Sequence, residues 1–347
     1  HYFDPHFPYE PPQGFANQPE AAGCRQLIRD VLEHPRLEWS LHSNWGRVAE
    51  RTRSDCIELY DAEIHYTDTE IARLLHGLNE LGYLESVVIV ITADHGESFG
   101  ESGTYYEHGA TVSDAVLRIP LMIAAPGIEA RVDSALFSLE DLMPTLLGLL
   151  DVAPDARPAM DGLDYSARLR RPVHRPQVSE RVLFAEGANS NKPPLFAVPF
   201  DAAALRRSCT PGNALESCHR FGGAGELLAA IMGVDAENKE LPEIESVRGA
   251  ASAINARFRK GEARQRSVRT QNFKLVQAPR VDGGVNRTLF DLGRDPHETI
   301  DVSSRHPEIR VQLGAELDQR LADLPKLDRK ELDPEDIEVL RRLGYIQ

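Results

Sequence analysis

The chain has 347 residues, with 39 Lys and Arg against 54 Asp and Glu, for a net charge of −15. That acidic balance argues against a general nucleic-acid binder, which needs a basic surface, and no run approaches the roughly 18 to 20 apolar residues of a membrane helix. Hydrophobic residues make up 41%, with core-forming runs at Val87–Ile91 and Pro120–Ala125 that exclude a disordered chain, and the length suggests about two structural units.

Residues 1–20 read as a loop, punctuated by five prolines and Gly14. A long helix is predicted from Ser54 to Leu81. Ile57, Tyr60, Ile64, Ile71, Leu74, Leu75, Leu78 and Leu81 recur at three- and four-residue steps, and Gly82 supplies the stop. The β-branched run Val87–Ile91 has the pattern of a strand buried on both faces, as in a parallel sheet covered by helices. A second strand is expected over Ile119–Ala125, and a helix over Leu139–Leu150 with Pro144 in its first turns. Helix, strand, loop, strand and helix in this order indicate an α/β sandwich.

Beyond Asp151 the pattern weakens into a proline-rich crossing with a basic cluster, Arg168–Arg175, and a short strand, Val182–Ala185. Residues 199–266 read as an insertion. Val268–Ala278 and Arg287–Leu292 read as a hairpin around Asp282-Gly283-Gly284, followed by a helix over Pro307–Leu324 and an amphipathic tail, Pro334–Leu343. The corresponding division is 1–155 for the α/β unit, 156–198 for a connection and strand, 199–266 for the insertion, 267–325 for a strand-and-helix subdomain and 326–347 for the tail. The four cysteines, Cys24, Cys56, Cys209 and Cys218, lack C-x-x-C spacing. Cys209 and Cys218 are close enough to close a small loop, either as a disulfide or as two reduced thiols.

The strongest chemical signal is Thr92-Ala93-Asp94-His95-Gly96-Glu97, directly after the first strand. Ligands of open α/β sheets sit beyond the carboxyl ends of strands, where a carboxylate and an imidazole can face one cation. A strand-ending turn with an Asp–His hydrogen bond is the other reading. His1–Tyr9 places His6 in a proline-stiffened loop, as a donor to an anionic oxygen or as a plain surface residue. His108 lies fourteen residues after Asp94 in a glycine-rich loop, and loops at that edge are often functional. Lys192, in an Asn-Ser-Asn-Lys-Pro loop, is a candidate substrate contact; Lys274, mid-strand, reads as structural.

Together these segments resemble a sulfatase of the alkaline phosphatase superfamily, in its later half. The pattern runs through His1–Tyr9, Tyr60–Gly82, Thr92–Glu101, His108-Gly109, Arg118–Leu121, Asp141–Leu146, Val268–Leu275, Leu289–Pro296 and Leu343–Tyr345. The resemblance implies a large mixed sheet between helices with a smaller C-terminal antiparallel sheet, and metal-dependent hydrolysis of a sulfate ester. Asp94 and His95 match the family's downstream metal pair, and His6 the histidine that contacts the sulfate group. His108 matches the histidine of the following loop. Calcium is the metal implied. His95, where many calcium sulfatases carry Asn, suits manganese or zinc as well. The formylglycine nucleophile and the first metal aspartates would lie before His1. Cys209 and Pro211 mimic the nucleophile motif, but Asn213 stands where it needs Arg. The chain is therefore expected to be a fragment, silent by itself and prone to aggregate. The whole protein is expected to be periplasmic, extracellular or membrane-anchored. A phosphoesterase, a phosphoethanolamine transferase and a non-catalytic binding protein are the alternatives, with a phosphate ester as the other substrate class.

Overall fold

The structure is a computed structural model and describes residues 1–15, 21–33, 48–101, 104–109, 111–171, 181–187, 264–279 and 284–324. The insertion up to residue 263, Lys192, Cys209, Cys218 and the tail all lie outside them.

After the opening loop come helix α1 (Ala22–Glu33) and the long helix α2 (Glu50–Glu80). On α2, Asp55, Cys56, Leu59, Ala62 and Glu63 are buried, the spacing of one helical face. That face meets α1 and the aromatic residues of the opening loop, in a core with Tyr9, Cys24, Leu27, Ile28, Val31, Phe99 and Tyr106. The predicted stripe is too long: Ile64, Leu74 and Leu81 are exposed. Among the described residues the cover supplied by α1 reaches only the N-terminal half of α2. A disulfide joins Cys24 to Cys56 with Cα atoms 4.9 Å apart. Closeness along the chain points to Cys209 and Cys218, as a disulfide or as two thiols, whereas this pair is brought together by helix packing across 32 residues.

The first strand, β1 (Ile89–Thr92), ends at the Asp94 turn. It pairs antiparallel with β4 (Leu121–Ala124), Ile89 opposite Ala124 and Thr92 opposite Leu121. The expected doubly buried parallel strand is thus corrected: β1 is only half-covered, and its one described neighbour runs antiparallel. Between them, β2 (Ser98–Phe99) and β3 (Tyr105–Glu107) form a small antiparallel pair where an open loop was expected. The Ser98 hydroxyl donates to the Thr104 carbonyl at 2.6 Å, closing that hairpin. Helix α3 (Asp114–Leu117) follows, and α4 (Leu142–Leu149) begins after a single 3-10 turn at Leu139–Asp141. The crossing beyond Asp151 contains a second 3-10 turn, Pro154–Ala156, and the short helix α5 (Ser166–Arg170).

The C-terminal unit is a four-stranded antiparallel sheet in the order β5 (Leu183–Glu186), β6 (Arg266–Arg269), β7 (Phe273–Pro279) and β8 (Val285–Asp291). The expected first strand, Val268–Ala278, is in fact two, because the chain turns at Thr270–Asn272, where the Thr270 N–H donates to the Phe273 carbonyl at 2.8 Å. Helix α6 (Pro307–Asp323) covers the sheet through Leu313 and Leu317, against Val268, Leu275 and Leu289. No helix among the described residues is long and apolar enough to cross a membrane.

A buried charge cluster docks this sheet onto α3. The Lys274 ammonium, fully buried on β7, lies 2.8 Å from Asp114 and 2.6 Å from Glu298. Arg269 adds a contact to Asp114 at 3.0 Å, and the Asp114 N–H donates to Glu298 at 2.8 Å. Removing one partner of a buried pair leaves the others uncompensated. Lys274→Met is therefore expected to lower unfolding stability by about 3–5 kcal/mol, read by urea denaturation.

Glu63 ties the opening loop to α2. It is 3% exposed and accepts the Glu10 N–H at 2.6 Å, while its second oxygen has no partner among the described residues. Burial pushes its carboxyl up to about 8, with Asp4 and Glu10 adding to the rise and the Glu10 N–H opposing it. The folded state then holds this proton more tightly than the unfolded chain. Its contribution to stability is fully present below about 4.5 and is lost as pH rises through about 8. Urea unfolding at pH 5 and pH 8 should show stability falling over that interval, and Glu63→Gln should flatten the fall.

Candidate active site

Three chain segments meet where β1 ends. The turn Asp94–Glu97 leaves the strand and passes directly under α3. The Gly96 N–H donates to the Val116 carbonyl at 2.7 Å, and a Cβ on Gly96 would sit 2.2 Å from the Ala115 carbonyl oxygen. Only glycine allows that approach, and the approach sets the directions of His95 and Glu97 on either side.

Asp94 is half-exposed, and its carboxylate accepts the His95 N–H at 3.0 Å. The His95 ring places Nδ1 2.8 Å from the Gly96 carbonyl and Nε2 3.7 Å from Asp94 Oδ1. An imidazole whose Nδ1–H donates to a backbone carbonyl presents an unprotonated Nε2 outward, the arrangement common to metal-binding histidines. The two donors thus fit a divalent cation as one oxygen and one nitrogen ligand. Among the described residues no group of three or more His, Cys, Asp or Glu is arranged to hold a metal.

His108 follows β3, so the β2–β3 hairpin returns it to the turn. Its ring stacks on His95 with centroids 3.8 Å apart, and its Nδ1 lies 3.3 Å from Glu97 Oε1. His6 meets His108 edge to face, with centroids 5.0 Å apart. The opening loop is pinned by Tyr9, fully buried, whose O–H donates to Glu97 Oε2 at 3.2 Å. Tyr9 also packs against Phe7, Tyr60, Phe99 and Tyr106. Burial, with the Glu97 carboxylate next, raises the Tyr9 phenol well above its ordinary value, so it stays a donor. Burial lowers the His6 imidazole. The Phe7 carbonyl, 2.6 Å from Nδ1, opposes that shift, His108 and His95 add to it, and Glu97 works against it. His6 is thereby favoured in its neutral form.

The structure thus brings His6, Asp94, His95 and His108 side by side. Lys192 lies outside the described residues. Lys274 is part of the buried charge cluster at Asp114, as its mid-strand position suggested. Glu97 and Tyr9 were not singled out from the sequence. The available signal was a lone carboxylate leading into the apolar-facing pair Ser98-Phe99, and a tyrosine ending an aromatic-rich loop.

An Asp–His pair with two further histidines thus lies at the end of a strand in an α/β framework. Residues 1–152 match the sulfatase family model. The chain is 29% identical over 205 residues to the choline-sulfatase of Rhizobium meliloti (strain 1021), covering 56% of this chain and 38% of that protein. It is 30% identical over 108 residues to arylsulfatase K of Bos taurus, 31% of this chain and 20% of that one. Among solved structures, a candidate sulfatase from Bacteroides thetaiotaomicron VPI-5482 superposes with a TM-score of 0.53 at 16% identity, over 94% of this chain and 55% of its own. A protein solved with its substrate D-glucosamine-2-N,6-O-disulfate superposes with a TM-score of 0.50 at 18% identity, over 88% and 47%. The chain therefore spans well under half of these curated relatives and about half of these structures, and at such identities the structures speak for the fold.

Gly96→Ala should force the turn away from α3 and cost about 1–3 kcal/mol, the scale of overpacking. Thermal unfolding of the variant checks it.

Proposed function

We propose that this chain carries the downstream metal ligands and the histidines of a sulfuric ester hydrolase. The observation that carries the reading is the meeting of His6, His95 and His108 beside Asp94, in a chain whose first 152 residues match the sulfatase family. The names of the relatives support sulfate esters as the substrate class.

Asp94 and His95 are the residues that would hold a divalent cation, and the cation would supply positive charge to the nonbridging oxygens of the ester. Calcium is the metal expected by resemblance, whereas the imidazole donor equally suits manganese or zinc. The Nδ1 of each of His6 and His108 is turned to a protein acceptor, so the Nε2 edges would meet the ester, accepting a proton or, in the imidazolium form, donating one to the leaving oxygen. The Cys24–Cys56 disulfide supports an oxidising compartment, periplasmic or extracellular.

The test uses the protein in the form in which the cell makes it, assayed on an aryl sulfate and an aryl phosphate with calcium, manganese or zinc. Metal-dependent turnover of the sulfate is expected. Asp94→Ala should cost more than the roughly 10- to 100-fold typical of losing an outer partner of a ligand. Sulfate turnover indifferent to Asp94→Ala, or a clear preference for the phosphate, contradicts the proposal.

A further inference from the structure

Glu97 is a carboxylate in an aromatic core. It is 8% exposed, and its neighbours include the rings around Tyr9. A carboxylate in such a place is costly unless its oxygens are hydrogen-bonded, and here each oxygen has a different partner. Oε2 accepts the Tyr9 O–H at 3.2 Å, and Oε1 faces His108 Nδ1 at 3.3 Å. These two bonds join the opening loop, the β1 turn and the β2–β3 hairpin, segments up to 99 residues apart in sequence. His6 has no such carboxylate; its Nδ1 faces the Phe7 carbonyl.

Resting on the sulfatase reading above, we propose that Glu97 is the positioning residue for His108, and that Tyr9 holds Glu97 in place for that task. With Oε1 as acceptor, His108 carries its proton at Nδ1 and turns the Nε2 edge of the ring toward the crevice. The ring face is set by the stack on His95 at 3.8 Å, and the Glu97 contact bears on its orientation within the ring plane. Tyr9 is suited to anchor Glu97 because it is fully buried and braced by four aromatic rings. Neither residue touches the substrate. Their effect passes through His108, and outer partners of this kind are worth on the order of 10- to 100-fold in activity.

Two measurements on the cell-made protein with bound calcium test the proposal. Nitrogen NMR of the imidazoles should show His108 as the Nδ1–H tautomer in the wild type. Glu97→Gln should shift it toward a mixture or toward Nε2–H, and Tyr9→Phe should shift it less. In aryl sulfate assays Glu97→Gln should lower kcat and kcat/KM together by roughly 10- to 100-fold. A role confined to stability would lower the unfolding temperature and leave the tautomer where it was; that result overturns the proposal, as does wild-type kcat in Glu97→Gln. If the protein hydrolyses no sulfate ester at all, the functional reading fails, while the tautomer shift still decides the role of Glu97.

Discussion

The contact between Gly96 and the backbone of α3 is the constraint on which the site depends. At 2.2 Å between a would-be Cβ and the Ala115 carbonyl there is no room for any other residue. The turn after β1 must therefore follow the surface of α3, wherever α3 lies. What fixes α3 is the buried charge cluster behind it, in which Lys274 and Arg269 of the C-terminal sheet grip Asp114. The ladder from β7 through Asp114 to Gly96 explains why a sheet distant in sequence bears on the geometry of Asp94 and His95. Burying an ammonium with two carboxylates brings little net stability by itself; its value here is a single relative placement of sheet and turn.

On the other side of the same turn, Glu97 performs the corresponding task for the histidines. Its two hydrogen bonds recruit the opening loop through Tyr9 and the hairpin through His108. Gly96 thus separates a residue that faces outward beside Asp94 from one that faces the core. The alternation of exposed and buried positions through the turn is what lets one short motif turn Asp94 and His95 outward and Glu97 into the core.

Much of this was legible in the residues. The Asp-His-Gly-Glu run after a β-branched segment and the pieces shared with sulfatases singled out Asp94, His95, His6 and His108, which the fold places side by side. The helix over 50–80, the strands near 89 and 121 and the helix from Pro307 followed from period and punctuation. Features set by long-range packing were not legible. The Cys24–Cys56 bond joins two helices, and cysteine spacing carries no trace of that contact. The β6–β7 turn at Thr270–Asn272 contains neither glycine nor proline, so two strands read as one. The pattern of Val87–Ile91 reports high β propensity and burial, but not the direction of the neighbouring strand, and β4 runs antiparallel. Glu97 was invisible for a related reason: a glutamate in a turn ordinarily faces water, and only the aromatic core around Tyr9 shows that this one does not.

The central claim is that the end of β1 gathers Asp94, His95, His108 and His6 around one cation-binding crevice. A manganese titration of the protein, followed through the imidazole NMR signals, tests it most directly. The account predicts that substoichiometric manganese broadens His95, His108 and His6 first. His76 should stay sharp, since it lies sixteen residues along α2 from Tyr60, about 24 Å at 1.5 Å per residue. Broadening that spares His95 and His108, or that begins at His76, would contradict it.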